Sequence, residues 1–418
     1  MPFRRPPRAA FPAAAVALAL GAPGAADAGT ATALGRTLAY GAAPGEVNNV
    51  IVMRTADTYR IVDRGAPVVA GAGCTSVAPN EVACAGLDVR VVRIQVLDGN
   101  DVVSLSTARR SVVGGGDGDD ILEGGEGEDA LFGDAGDDTL KGGAGADALT
   151  GAAGADTLSG GGPPLVIPVF GEESEEPGDE FALDVALYAS RTSDVTVDLD
   201  GEADDGEAGE RDNVLPDVEA AATGSGDDTV VGNQAINAFF TGPGRDRVFA
   251  RGGEDVLLGG RGADVLAGGP GRFSFVLAGA GDDVVTGGSG HDDINAGQGN
   301  DRVDARGSRD SVDGGPGNDR MLGRAGRDRL RGGHGRDALL GGGGADELLA
   351  RDGFRDRVAG GPGQDLATVD DRLDVVTGVE GEVRPPEEVF LEELIGELGG
   401  PSRLTGAARA ALARGSKR

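Results

Sequence analysis

The chain has no tryptophan, and aromatic residues make up only 4% of its 418 positions. A large globular core normally rests on more bulky apolar side chains than that. Two cysteines exclude a disulfide-dense scaffold and a four-cysteine zinc site. Two histidines, with no H-E-x-x-H string, exclude the common zinc-protease helix. No G-x-S-x-G elbow and no G-K-[ST] phosphate loop occur. Basic residues are few: 38 Lys and Arg stand against 70 Asp and Glu, for a formal charge of −32. That balance argues against nucleic-acid binding. Apolar runs are short as well. Ala9–Leu20 is too short for a comfortable membrane span and contains Pro12.

Glycine is what the chain has, 77 of them, and it is periodic. From Gly115 to Ser159 the units GGDGDDILE, GGEGEDALF, GDAGDDTLK, GGAGADALT and GAAGADTLS follow one another. Asp120, Asp129, Asp138, Asp147 and Asp156 fill the sixth place. Leu122, Leu131, Leu140, Leu149 and Leu158 fill the eighth. A fixed short period implies stacked units, each covered by its neighbours, whose core is one thin line of residues. Glycines permit the tight turn of the first six residues and leave backbone carbonyls free. The last three residues read as a very short strand with its middle side chain inward. An aspartate at the same point of every turn makes a column of oxygen ligands, which suits a hard cation such as Ca²⁺.

The pattern GGxGxDxUx, with U bulky and apolar, resembles the RTX (haemolysin-type) calcium-binding nonapeptide repeats, a family of secreted bacterial proteins. The resemblance implies an all-β fold: a calcium-loaded parallel β-roll, or β-helix solenoid, in two repeat arrays behind a small N-terminal β-rich cap. It also implies that repeats two apart stack on the same side with calcium between them, so that Asp120 pairs with Asp138 and Asp129 with Asp147. A second array runs from Thr223. Its sixth-place residues are Asp228, Asp246, Asp255, Asp264, Asp283, Asp292, Asp301, Asp310, Asp319, Asp328, Asp337, Asp346, Asp356 and Asp365, with Asn237 and Phe273 as departures. The eighth place stays apolar, as at Val230, Phe239, Val248, Leu257, Ile294, Met321 and Leu348. This reading treats Leu277 and Ala350 as extra residues between repeats. It expects an empty half-site at Phe273, weak sites at Asn237 and strain at Ser308, which replaces the fourth-place glycine. Multiple Ca²⁺ ions are the expected cofactor. About sixteen divalent ions would cancel the formal charge, and binding would then be coupled to folding.

The chain divides into 1–28, 29–95, 96–162, 163–222, 223–380 and 381–418. Arg4, Arg5 and Arg8, the apolar run and Ala26-Asp27-Ala28 make residues 1–28 a signal peptide with cleavage before Gly29. Arg4-Arg5 also hints at twin-arginine export, without the rest of that motif. Residues 29–95 form the β-rich cap, in which Cys74 and Cys84 are expected to pair as one disulfide, a free thiol being the alternative. Asp98 to Val103 already look like a degenerate first turn. Pro163–Gly178 is a Pro- and Glu-rich spacer. In the following module Val195, Val197 and Leu199 alternate as a strand does. Asp198, Asp200, Asp204, Asp205, Glu207, Glu210 and Asp212 then crowd a loop, which fits an additional calcium site or a solvated acidic loop. Glu387–Leu398 reads as a short acidic amphipathic helix, and Ala407–Arg418 as a basic tail.

Arginines cluster late, from Arg302 to Arg336; they read as a solvated, ion-paired face, and because each flanks an aspartate turn some could compete with calcium. They are expected to weaken calcium affinity between about residues 300 and 340 relative to 115–159. His291 and His334 sit at variable turn positions and read as solvated. The functional expectation is a secreted, extracellular, non-catalytic calcium-binding roll with a structural, surface or adhesive role. It has calcium as its partner, an unidentified surface or matrix partner, and no transmembrane segment in the mature chain. The alternatives are a secreted hydrolase with an unrecognised site and a toxin or adhesin component.

Overall fold

A computed structural model describes residues 28–85, 88–162, 183–370, 373–380 and 383–384. Residues 1–27 of the expected signal peptide, the 163–178 spacer, the 387–398 helix and the 407–418 tail lie outside the described residues. Among the described residues there are only strands and turns, with no helix. Two compact units divide at Gly271/Arg272.

The first unit opens with the cap. Strands Gly29–Leu34 and Thr37–Gly41 form an antiparallel hairpin. Strands Asn49–Thr55, Thr58–Asp63, Glu81–Ala85 and Cys74–Ala78 form an antiparallel meander. Cys74 and Cys84 are directly opposite in its last pair and are joined by a disulfide. A buried polar knot ties the cap together. The Tyr40 hydroxyl donates to Asp63 Oδ2 at 2.7 Å, and Asp63 Oδ1 accepts the backbone N–H groups of Asn49 and Gly65, both at 2.8 Å.

The cap supplies the first rung of each face of the roll. Thr37–Gly41 pairs in parallel with Val91–Asp98, which pairs in parallel with Arg110–Asp117. On the other face Asn49–Thr55 pairs in parallel with Val102–Ser106, and that strand with Ile121–Gly125. From there the register advances by eighteen residues per full turn: Leu122 stands opposite Leu140, and Leu140 opposite Leu158. Each nonapeptide is half a turn, so successive eighth-place side chains point inward from opposite faces. Leu122, Leu131, Leu140 and Leu149 are fully buried, and Leu158 nearly so.

The connector is part of the roll rather than a module beside it. Val185–Leu187 follows Ala148–Ala153 in the same parallel sheet, Ala220–Ala222 follows it, and Ala238–Phe240 comes next. The first array is thereby continuous with the second along one face. On the opposite side Asn213–Val214 ends one sheet, and Val195–Asp198 begins another that runs on through Thr229–Val231 and Arg247–Phe249.

The second unit repeats the architecture. Strands Phe273–Ala280, His291–Gln298, Ser311–Pro316 and Arg329–His334 stack in parallel on one face. Val284–Gly288, Arg302–Asp304, Arg320–Gly326 and Ala338–Gly344 stack on the other. Val276, Val285, Ile294, Val303, Val312, Met321, Leu330, Leu339 and Leu348 fill the core, each at most 2% exposed.

Two frame assignments need correction here. Ser274, not Phe273, stands opposite Asp292, and Val276 rather than Phe275 is the buried residue opposite Ile294. The surplus residue therefore lies in the turn before Ser274, and Leu277 belongs to the strand. Likewise Ala350 is buried and donates its N–H to Thr368 O, as the first-place Ala305 does to Leu322 O. The surplus there falls within residues 351–355. The physical reason is the same in both places. An extra residue in a strand would turn every later side chain to the other face, whereas a turn absorbs one without changing the pleat.

Candidate metal centre

The sixth-place residue lies at the start of a short strand or directly before it and faces inward with the eighth-place side chain, so its carboxylate enters the wall of the roll. All the sixth-place aspartates named above are buried, none more than 3% exposed. Each is held by the turn before it. Asp138 Oδ1 accepts the N–H of Asp120 at 2.8 Å, Asp147 Oδ1 that of Asp129 at 2.8 Å, and Asp156 Oδ1 that of Asp138 at 2.9 Å. The pairs expected from the repeat are thus column neighbours, Asp120 with Asp138 in one column and Asp129 with Asp147 in the other. The same bond recurs at Asp301–Asp319 and Asp328–Asp346.

In many of them the other carboxylate oxygen meets no donor; Asp292 differs, its Oδ2 accepting the Gly288 N–H at 2.5 Å. Oδ2 of Asp120, Asp129, Asp138, Asp147, Asp156, Asp255, Asp319 and Asp346 is buried without a hydrogen-bond partner. A buried, unpaired carboxylate oxygen is costly unless a proton or a cation meets it. Burial, reinforced by neighbouring carboxylates and opposed by the backbone N–H bond, pushes Asp138, Asp147 and Asp156 up to about 7 and Asp310 up to about 8. The first-place glycines keep space open beside this oxygen. A β-carbon on Gly124 would lie 2.5 Å from both Asp129 Oδ2 and the Gly142 carbonyl oxygen; one on Gly314 would lie 2.6 Å from Asp319 Oδ2 and from Gly332 O. Carboxylate and carbonyl oxygens therefore converge where a side chain would intrude.

Asn237 shows what that space demands. It occupies the sixth place of its turn, its N–H donating to Asp255 Oδ1 at 2.9 Å. Its side-chain amide donates to the carbonyls of Glu219 and Ile236, and its Oδ1 accepts the Asn233 N–H. The Asn233 N–H thus satisfies the oxygen beside Gly232, the place where neighbouring turns leave Oδ2 bare. Ser308 is the other departure. Its φ of +89° is the left-handed backbone that glycine adopts at the equivalent Gly299 and Gly326.

The column also runs beyond the sixth-place aspartates, through Asp101 of the degenerate first turn read at 98–103 and through members that lack the glycine turn. Asp101 Oδ1 accepts the Asn48 N–H, and the Asp101 N–H donates to Asp120, which extends the column back to the cap. Asp184 follows Asp147 in one column, and Glu219 follows Asp184. Asp212 follows Asp156 in the other, and its Oδ2 receives the Tyr188 hydroxyl at 2.9 Å. The usable signal was the tail alone, an acidic residue two before a buried apolar one: Asp184 with Ala186, Asp212 with Val214, Glu219 with Ala221.

In the connector loop, Asp198, Asp204 and Asp205 each bring one carboxylate oxygen within 4.8 Å of the others. Asp205 is already engaged, accepting the Asp198 and Val214 N–H groups. Glu207 and Glu210 instead pair with Arg191. The late arginines form the solvated, ion-paired face that the sequence suggested. They are exposed, and among the described residues their ion pairs are to strand carboxylates, Arg324 with Asp304, Arg331 with Asp313 and Arg329 with Glu347, not to sixth-place aspartates. The sixth-place carboxylates are sealed inside the wall, out of their reach. His291 and His334 are exposed, as expected.

The family model for the RTX calcium-binding nonapeptide repeat, four copies per match, fits residues 115–140, 132–162, 222–257, 240–272, 275–312 and 313–348. The matched residues are RTX repeats. A search of the curated proteins finds no match to this chain. RTX repeats bind calcium, and the donor set found here suits that ion: carboxylate and carbonyl oxygens, with no nitrogen or sulfur. The matched residues span both arrays, and each match contains several of the turns whose Oδ2 is bare.

Proposed function

We propose that this chain is an exported, non-catalytic β-roll that takes up several calcium ions between stacked turns, folds as it does so, and serves a structural, surface or adhesive role. The bare column of sixth-place Oδ2 atoms carries the reading. Without a cation, the ionised carboxylates repel along the column and lack partners. With calcium, each Oδ2 and the adjacent glycine carbonyls gain a ligand, and the free energy of binding becomes free energy of folding. The basic-apolar N-terminus, the strand that begins at Gly29 directly after Ala26-Asp27-Ala28, and the disulfide support export to a calcium-rich, oxidising setting.

Far-UV circular dichroism of the mature chain, started in chelator at neutral pH, tests the coupling. Added CaCl₂ is expected to raise the β signal cooperatively. MgCl₂ is expected not to, because Mg²⁺ is smaller and sheds its waters reluctantly. A full β signal already present in chelator, or no gain with calcium, overturns the proposal.

A further inference from the structure

The outer surface of the second unit carries a pattern unrelated to the aspartate column. Parallel pairing sets Arg302 beside Arg320. The same offset sets Arg306 over Arg324 and Arg309 over Arg327, with the Ala325 N–H donating to Arg306 O at 2.9 Å and the Ser308 N–H to Ala325 O at 2.8 Å. All six arginines are exposed. Neighbouring parallel strands lie about 4.8 Å apart, so three like-charged pairs face each other across that gap, an unfavourable arrangement.

A second cost falls on the same two turns. Arg306 and Arg324 have φ of +73° and +76°. The equivalent place in adjacent turns is glycine, as at Gly297 and Gly342, with φ of +100° and +107°. Side chains sit at the same place with like φ outside the grid as well, at Asp134, Ala152 and Arg251 (+76°, +82° and +71°), so this strain belongs to the turn and not to the grid. Counter-charge is sparse. Among the described residues only Arg324 of the six makes an ion pair, with Asp304, while Asp282 lies close enough to Arg302 to feel its charge. The grid is also bounded, since Ala338 and Gly342 stand opposite Arg320 and Arg324 on the next turn.

We propose that this two-by-three arginine grid binds a linear acidic polysaccharide through its carboxylate or sulfate groups. Guanidinium forks pair such planar or tetrahedral oxyanions in bidentate fashion, which an ammonium does not. Two rungs about 5 Å apart, with three arginines on each, present paired forks to one extended chain. Single-stranded nucleic acid is less suited, because its binding grooves interleave aromatic platforms with the cations, and no aromatic residue lies among the six. The acidity of the chain as a whole does not oppose this, because the sixth-place carboxylates of these turns are buried in the wall. The inference rests on the reading of an exported roll with a surface role and gives that role a partner.

The test uses the full calcium-loaded chain and immobilised dextran sulfate, with hyaluronate, uncharged dextran and poly(dT) in parallel. The wild-type chain is expected to bind the two acidic polysaccharides and not dextran, with affinity falling as salt rises. The variant R302Q/R306Q/R309Q/R320Q/R327Q is expected to bind at least about tenfold more weakly, with its calcium-induced dichroism unchanged. A control with five cap arginines replaced, R36Q/R54Q/R60Q/R64Q/R90Q, is expected to bind as wild type. Absence of binding to both acidic polysaccharides, equal losses in the two variants, or tighter binding to poly(dT) overturns the inference. Should calcium induce no β signal while the grid variant alone loses dextran sulfate, the calcium reading fails and the grid stands.

Discussion

At the scale of single residues, the decisive fact is asymmetric use of one carboxylate. Oδ1 of Asp138 is a structural acceptor for the turn before it, while Oδ2 waits for a partner. Asn237 supplies the natural control, since its Oδ1, at the place beside Gly232 where the aspartates hold a bare Oδ2, accepts the Asn233 N–H while its amide nitrogen donates to the preceding turn. Asp138→Asn is therefore expected to lower the calcium stoichiometry by about one ion and to make the chain fold more readily in chelator, measured by equilibrium dialysis and dichroism together. Unchanged stoichiometry contradicts the assignment. The same asymmetry fixes the pH response of the chelated chain. The folded pKa values, from about 6 at Asp120 to about 8 at Asp310, lie above the unfolded value near 4. Between these limits the folded state binds more protons than the unfolded one, so the metal-free fold loses stability as pH rises. In chelator the β signal is expected to be greatest near pH 4–5 and to fade as pH climbs through about 6–8, a proton doing weakly what calcium does well. A β signal that grows with pH in chelator contradicts this account.

At the scale of elements, the short strands are stable only as rungs. Leu140 is fully buried, with Leu122 and Leu158 as its rung neighbours. Leu140→Ala is expected to cost about 3 kcal/mol in urea unfolding of the calcium-loaded chain, with the calcium count unchanged. Much of this layer was legible in the sequence, because the ninth-interval apolar residue and the Asp two before it are set by the pleat itself. What stayed hidden were rungs that keep the pleat but drop the glycine turn, such as Asp184-Val185-Ala186 and Asp212-Asn213-Val214. The positions of the surplus residues at 268–273 and 351–355 were hidden too. A string of letters places slack anywhere, whereas burial of Val276 and Ala350 places it in the turns. Which side of the wall each late arginine takes was hidden for a related reason: proximity in sequence to an aspartate does not fix it.

At the scale of the whole molecule, a formal charge of −32 is compatible with a stack of turns only if much of that charge is internal and compensated. The buried sixth-place carboxylates place a large share of it inside the roll, and the RTX match names the ion that answers it. The cap takes another route. It closes its own buried carboxylate, Asp63, with the Tyr40 hydroxyl and backbone N–H groups, and starts both faces of the roll without a metal. The most direct measurement is an anomalous difference map from crystals of the calcium-loaded chain. The account predicts peaks between turns eighteen residues apart, each within about 2.3–2.6 Å of a sixth-place Oδ2 and absent beside Asn237. Peaks confined to the Asp198–Asp205 loop, or none along the aspartate columns, would contradict it.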